Sequence, residues 1–580
     1  MNLDAASYVK DMANFDLLLL HCLTHNNNTL SEIKNYNDAI IEGVADIFAH
    51  FSESERENYW TQKSQTLVAL NNLAALNFSD SQASKTAYNN ALFTKNMLLD
   101  SGRILGQVVK GCGQEIQDSF SLMNSLKRAL SNKRTPKDSL NTYSNRISML
   151  EKQIISSIPD IKNRIKKQFK SIDDIQKMLS DGDVAIEFIF LPQIKVPIEN
   201  SELQYGALVL TKKSAEPILI PLCTEYELEN VLDVENSTSQ EFVDNLYNIQ
   251  NTRLYKMLWA GIEPYIHKGS TIYYSPIGYI SKINMSVISD GKKRLQDMYE
   301  FCEVSTTALI GEIKQQRSIN LNNAVLFGDI NYNEDVDIME ANSIKYEHFS
   351  SIPILSTRSL NRSTWELLPG TKEEIIAIAK QMVEKGLIVR TYSQNDANEE
   401  SIKALNARAP DIIHIATHGF YYSLDDDITS KFFGGLSSNT QKDHSLLYSG
   451  LLFAGANNSW AGKTLKDNIE DGIMTAYEVS QLDLSGNKLT VLSACNTGLG
   501  DIDNIDGVFG LQRAFKKAGV GTILMSLWKV PDEETKQLMS SFYSYLLSGN
   551  TSHQALLLAQ KQLIEQGKSP FYWAGFILLD

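Results

Sequence analysis

Cys495 stands at the end of the apolar run Thr490-Val491-Leu492-Ser493-Ala494, and His418 at the end of another, Ile412-Ile413-His414-Ile415-Ala416-Thr417. A thiol with an ordinary pKa near ~8.5 is mostly protonated at neutral pH and reacts poorly. An imidazole beside it can take the proton and later return it to a leaving amine, the chemistry of a cysteine peptidase. The pair needs closeness in space, not in sequence, so a wide separation along the chain is no obstacle. Gly419 follows the histidine and, lacking a Cβ, lets the backbone approach a substrate carbonyl. Its amide and that of Cys495 then form an oxyanion hole. Taken singly, each residue also fits a plainer role. Cysteine is among the most buried residue types, and a buried histidine is commonly a hydrogen-bonded core residue. His414, inside the apolar run and four residues before His418, reads as such a core histidine that supports the site.

Side chains alternate along a strand, so Ser493 faces the same side as Cys495 and is expected to line the pocket for the P1 side chain. Ser493 is uncharged, which predicts a preference for uncharged P1 residues. Asp501, Asp503 and Asp506 follow the cysteine and are alternative sources of a carboxylate, though loop acids are commonly just solvated. The five cysteines (Cys22, Cys112, Cys223, Cys302, Cys495) are scattered, with no CxxC or Cys/His ligand spacing, so no metal and no cofactor is expected. Their pattern reads as reduced intracellular thiols. A serine nucleophile elbow is missing: Ser275-Pro276-Ile277-Gly278 lacks the glycines of GxSxG and reads as a turn.

The elements that must hold these residues fall into three segments. Residues 1–170 read as helices, with Phe15, Leu18, Leu19 and Cys22 at helical spacing, an apolar helix around Ala91–Val108, and an amphipathic stripe at Ile147, Leu150 and Ile154. Residues 171–315 read as an α/β unit with strands at Val184–Phe190, Ala207–Leu210, Ile218–Leu222 and Thr271–Tyr274, and a helix over Phe242–Trp259. Residues 316–580 read as a second α/β unit. Its strands are Ala324–Phe327, Leu387–Val389, Ile412–Ala416, Thr490–Leu492 and Gly521–Leu527, with a helix starting at Gly370. Strand and helix in alternation predict a mostly parallel, covered sheet with functional groups at the carboxyl ends of its strands. Both His418 and Cys495 fall there.

The chain has 580 residues, 54 Lys plus Arg against 69 Asp plus Glu, and a net charge of −15. That balance argues against generic nucleic-acid binding, which needs clustered cations. A basic stripe at Lys162–Lys170 reads as a solvated helix face. No apolar run reaches the ~20 residues of a membrane span and no signal peptide is evident, so a cytoplasmic protein without membrane partners is expected.

Several ordered motifs carry a family resemblance. They are His414–Gly419, Ser449–Ala456, Asp471–Ala476, Val491–Gly500, Gly507–Phe515, Ser526–Val530 and Phe571–Phe576. Together they resemble the CHAT family, caspase-like domains usually found behind tetratricopeptide repeats. The resemblance implies a caspase/separase-like fold with His418 as base and Cys495 as nucleophile, and a degenerate pseudo-caspase half over 171–315 packed against the active half. Tyr88–Lys95 and Ser54–Trp60 recur in such proteins after the repeats, so the first segment is expected to be tetratricopeptide-like and regulatory. Two departures stand out: Asn496 where an acid is common, and Ile505-Asp506-Gly507 where Gly-Glu-Gly is common.

The reading is a regulated cysteine endopeptidase acting on a protein substrate, in bacterial defence or programmed death as the resemblance suggests. It is switched on by a protein or nucleoprotein partner on the helical segment, which orders the Asp-rich loops Tyr422–Leu436 and Leu499–Val508. The alternative is a non-catalytic scaffold that keeps the fold and binds partners through its helices.

Overall fold

A computed structural model of the chain describes residues 81–130, 137–158, 170–193, 202–232, 239–316, 320–346, 364–421, 449–463, 469–494 and 510–580, with isolated positions before and between them. The expected helix around Phe15–Cys22 lies outside the described residues, as does most of Ser54–Trp60. No helix among the described residues is long and apolar enough to cross a membrane.

Three helices of the first segment are described along their length: α1 (Ser81–Lys110), α2 (Gln114–Leu130) and α3 (Lys137–Ser157). The stripe of Ile147, Leu150 and Ile154 buries itself against Leu105, Val109 and Met123, as its spacing predicts. Arg56 is buried against Glu151 of α3 at 2.6 Å, which neutralises two charges that neither could bury alone.

Sixteen strands follow among the described residues, eleven of them in one sheet. The first half supplies β1 (Asp183–Gln193), β2 (Glu202–Thr211), β3 (Ile218–Thr224), β4 (Thr271–Ser275) and β5 (Glu300–Glu303). The second half supplies β6 (Asn323–Ile330), β7 (Ile388–Gln394), β8 (Ile412–Thr417), β12 (Leu489–Ala494), β15 (Thr522–Ser526) and β16 (Phe576–Leu579). The order is β3-β2-β1-β4-β5-β16-β15-β12-β8-β6-β7. The two halves therefore share a single sheet, and they meet at one rung, Glu303 of β5 beside Leu579 of β16.

The sheet is mostly parallel, as expected, with three antiparallel pairings among the described residues. β7, β6, β8, β12 and β15 run parallel, but β16 turns back antiparallel to β15, and β2 and β3 are antiparallel additions. The expected helix over Phe242–Trp259 is two short ones, Gln240–Leu246 and Arg253–Leu258. The break is local side-chain chemistry. Asn248 Oδ1 accepts from the Gln250 amide at 2.9 Å and Asn251 Oδ1 from the Arg253 amide at 3.0 Å, two turns that compete with the helical ladder.

Every residue of β8 is buried, so this strand can carry apolar side chains on both faces. Helices α4 (Pro369–Glu384), α5 (Asp532–Leu546) and α6 (Ser552–Glu565) supply much of the surrounding core. The helical segment docks on the first half through α1. Lys95 Nζ reaches Glu187 Oε2 at 2.8 Å and the Phe188 and Ser275 carbonyls at 2.9 Å, while Tyr88 Oη pairs with Thr307 Oγ1 at 2.9 Å. Glu187 Oε1 accepts in turn from the Thr307 amide and hydroxyl, each at 2.7 Å, so the buried ion pair is saturated with hydrogen bonds.

Candidate active site

β8 and β12 are neighbours, parallel and in register: Ala416 lies beside Ser493 and Thr417 beside Ala494. His418 is the next residue after β8, and Cys495 the next after β12. Cys495 and Asp506 lie outside the described residues. Asp503 ends β13 (Ile502–Asp503), which pairs with β14 (Gly507–Val508); its side chain is outside the described set. The loop Tyr422–Leu436 is outside it as well.

The His418 ring is buried and oriented on three sides. Nε2 lies 2.8 Å from the Glu366 carbonyl oxygen, and since a carbonyl only accepts, Nε2 carries the proton and Nδ1 keeps the lone pair. Tyr332 and Trp365 flank it, with centroids at 5.1 and 5.0 Å. Asn457 fixes the Trp365 backbone from both ends, accepting from its amide and donating to its carbonyl, each at 2.9 Å. Burial pushes the imidazole below its usual 6.5; the Glu366 carbonyl and Asp532 oppose that, and Lys529 reinforces it. The resting imidazole is therefore neutral at neutral pH, the form a general base requires.

Gly419 begins β9 (Gly419–Tyr421), part-exposed and opposite Leu451 of β10 (Ser449–Leu452), which pairs on its other side with β11 (Ile473–Thr475). A buried charge cluster anchors this small sheet. Lys403 Nζ contacts Glu399 at 2.6 Å, Glu470 at 2.9 Å and Glu478 at 3.0 Å, and Glu478 also caps the helix that follows β11. Against the cost of desolvation, the three carboxylates hold the ammonium charged.

Ser493 is buried, and among the described residues its Oγ has no hydrogen-bond partner. It lines a small cavity of about 20 Å³ with Thr417, Ser526, Glu374 and Asp532. Glu374 is engaged from behind by His414, whose Nε2 lies 3.1 Å from Oε1 and whose Nδ1 lies 3.2 Å from Tyr543 Oη. His414 is thus a core residue that braces the pocket. Burial raises the Asp532 carboxyl pKa; Lys529 opposes the rise and Glu374 adds to it. Gly370 lets Asp532 come this close, since a Cβ there would sit 2.9 Å from the Asp532 Cβ.

Sequence reasoning located His418, Gly419 and Ser493 but missed Asp532, Glu366, Tyr332 and Trp365. Asp532 lies just past the recognisable run Ser526–Val530, which was the available signal. Glu366 acts through its backbone carbonyl, which no residue type announces.

The parallel α/β core thus holds a buried, oriented histidine at one strand end, and in sequence a cysteine follows the adjoining strand. The CHAT domain model matches residues 250–579, and the chain belongs to that family. It is similar to human tetratricopeptide repeat protein 28, 28% identical over 233 residues covering 39% of this chain and 9% of that protein. The mouse protein of the same name is 37% identical over 110 residues, 18% of this chain and 4% of that protein. The chain thus spans less than a tenth of these relatives' length. Among solved structures it is similar to the Saccharomyces cerevisiae separase–securin complex, with a TM-score of 0.44, 9% identity, and coverage of 95% of this chain and 40% of that one. It is also similar to the Arg-specific cysteine proteinase gingipain R, with a TM-score of 0.30, 8% identity, and coverage of 61% and 74%.

Proposed function

We propose that the chain is a cysteine endopeptidase with His418 as base and Cys495 as nucleophile. The observation that carries this reading is the His418 ring: one nitrogen committed to a backbone carbonyl, the other left with its lone pair, and β12 adjacent in register. In this reading Nδ1 takes the thiol proton as sulfur attacks the scissile carbonyl, then returns it to the leaving amine. The amides of Gly419 and Cys495 hold the oxyanion.

The pocket under Ser493 changes the specificity expected from that residue alone. Asp532 and Glu374 make its floor acidic, and an unpaired Ser493 hydroxyl faces the same space. A P1 side chain with a cationic tip satisfies both, once the pocket widens beyond its present size. Asp503 and Asp506 are retained as further substrate contacts. Regulation through the helical segment has a physical route. α1 packs on the helix Leu511–Lys517, which follows the nucleophile loop in the chain, so a partner bound to the helices reaches that loop through one contact. A role in bacterial defence or cell death, a cytoplasmic location and a proteinaceous activator belong to the same proposal.

Expressing the wild type and Cys495→Ala in the same host and comparing new protein N-termini tests it. The expected result is a set of cleavages, enriched for Lys or Arg at P1, that vanishes in the variant. Identical N-terminal profiles with and without a bound activator would favour the non-catalytic scaffold.

A further inference from the structure

We infer that Cys302, His553 and Asp580 form a binding site for a divalent transition metal of the zinc class, clamping the two halves of the sheet together. The three residues come from distant parts of the chain: β5, the first turn of α6, and the residue after β16. One ligand atom from each lies within 4.8 Å of the others. Cys302 and Asp580 are buried, and His553 is nearly so.

A second observation separates this trio from an ordinary ion pair. His553 Nε2 lies 3.3 Å from Asp580 Oδ2, yet both atoms are buried and neither makes a hydrogen bond among the described residues. The pair is close but not aligned as a hydrogen bond, as is also true of His414 Nε2 and Glu374 Oε1; what differs here is the Cys302 thiol within reach of both atoms. Two ligands of one tetrahedral ion sit about 3.3–3.5 Å apart, given metal–nitrogen and metal–oxygen lengths near ~2.0–2.1 Å. The other Asp580 oxygen accepts from Thr522 Oγ1 at 2.7 Å, the kind of outer contact that orients a ligating carboxylate. Thiolate, imidazole and carboxylate together suit zinc or cobalt(II) rather than calcium or magnesium. Of the three, His553 also lines a cavity of about 370 Å³ with Tyr274, Tyr299 and Glu303, large enough to bring water to the histidine.

The location gives the ion a purpose. β5 and β16 touch at one rung, Glu303 beside Leu579, backed by the Asp580 amide donating to the Glu303 carbonyl at 2.9 Å. A metal held by β5 on one side and by β16 and α6 on the other bridges that narrow join. Binding deprotonates Cys302 and releases the proton to solvent, so affinity rises with pH.

The test is a titration of chelator-stripped full-length protein with cobalt(II) alone, followed by zinc displacement and metal counting. Wild type and Cys495→Ala are expected to bind about one ion per chain, with a thiolate-to-cobalt charge-transfer band and a rise in Tm on loading. Cys302→Ser is expected to lose the band, and His553→Gln, at a partly accessible helix position, to bind at least tenfold more weakly while keeping its circular dichroism. No cobalt uptake by folded wild type, or uptake unchanged in both variants, overturns the inference.

Discussion

His418 has one lone pair to offer, on Nδ1, because the Glu366 carbonyl holds the proton of the other nitrogen. Its pKa is held below 6.5 chiefly by burial, so the sign of the pH effect follows. The working base is neutral above that pKa, and activity falls as pH drops through it. The acid limb of kcat/KM is therefore expected at an apparent pKa under 6.5, measured with a peptide cleaved by the activated enzyme; a limb at or above 6.5 contradicts the assignment. Asp532 is the second residue with a readable consequence. Asp532→Asn is expected to cut kcat/KM for Lys or Arg at P1 by roughly 100-fold, the order of magnitude of losing a partly desolvated charge pair, and to change uncharged P1 substrates by less than about threefold. Equal losses on both substrate classes would count against a specificity role. Period-two alternation made Ser493 legible from sequence, and strand ends made His418 and Gly419 so. Asp532 was not legible, because it enters the pocket from the start of α5, outside the strand alternation, and through a close approach permitted by Gly370 on another helix.

Short elements carry much of the site's support and are where sequence reading ran out. β8, β12 and β15 are apolar runs long enough to show themselves, whereas β5 reads Glu-Phe-Cys-Glu and β16 is four residues long. Neither has a periodicity that distinguishes strand from loop. The same holds for β9, β10 and β11, whose pairing is set by long-range register rather than by local propensity. What fixes β11 is the Lys403 cluster, in which one buried ammonium serves three buried carboxylates. Among the described residues Lys403 is the only cation that contacts all three, and Lys403→Met leaves the buried carboxyls without it. The expected cost is about 3–5 kcal/mol, read as a lower midpoint in urea. Lys403→Met with wild-type stability would mean that the cluster does not hold the sheet bearing Gly419.

At the scale of the whole molecule, one continuous sheet joins a half that bears His418 and Cys495 to a half that receives the helical segment. The change of hydrophobic period near residue 171 falls between the described helix Lys137–Ser157 and the first strand, Asp183–Gln193. That the two α/β halves would fuse into a single sheet was not legible in the sequence, since the join is one rung between two of the least conspicuous strands. The metal ligands were invisible for a related reason: Cys302, His553 and Asp580 share no sequence spacing and meet only because β5 and β16 do. Everything functional still turns on whether Cys495 is a nucleophile served by His418. The most direct measurement is labelling of the activated full-length protein by a thiol-directed, peptide-based electrophile, with the modified residue located by mass spectrometry. The account requires labelling at Cys495 in the wild type, none in Cys495→Ala, and a rate at least 100-fold slower in His418→Ala with Cys112, Cys223 and Cys302 unmodified. Labelling of Cys495 at an unchanged rate in His418→Ala would contradict it.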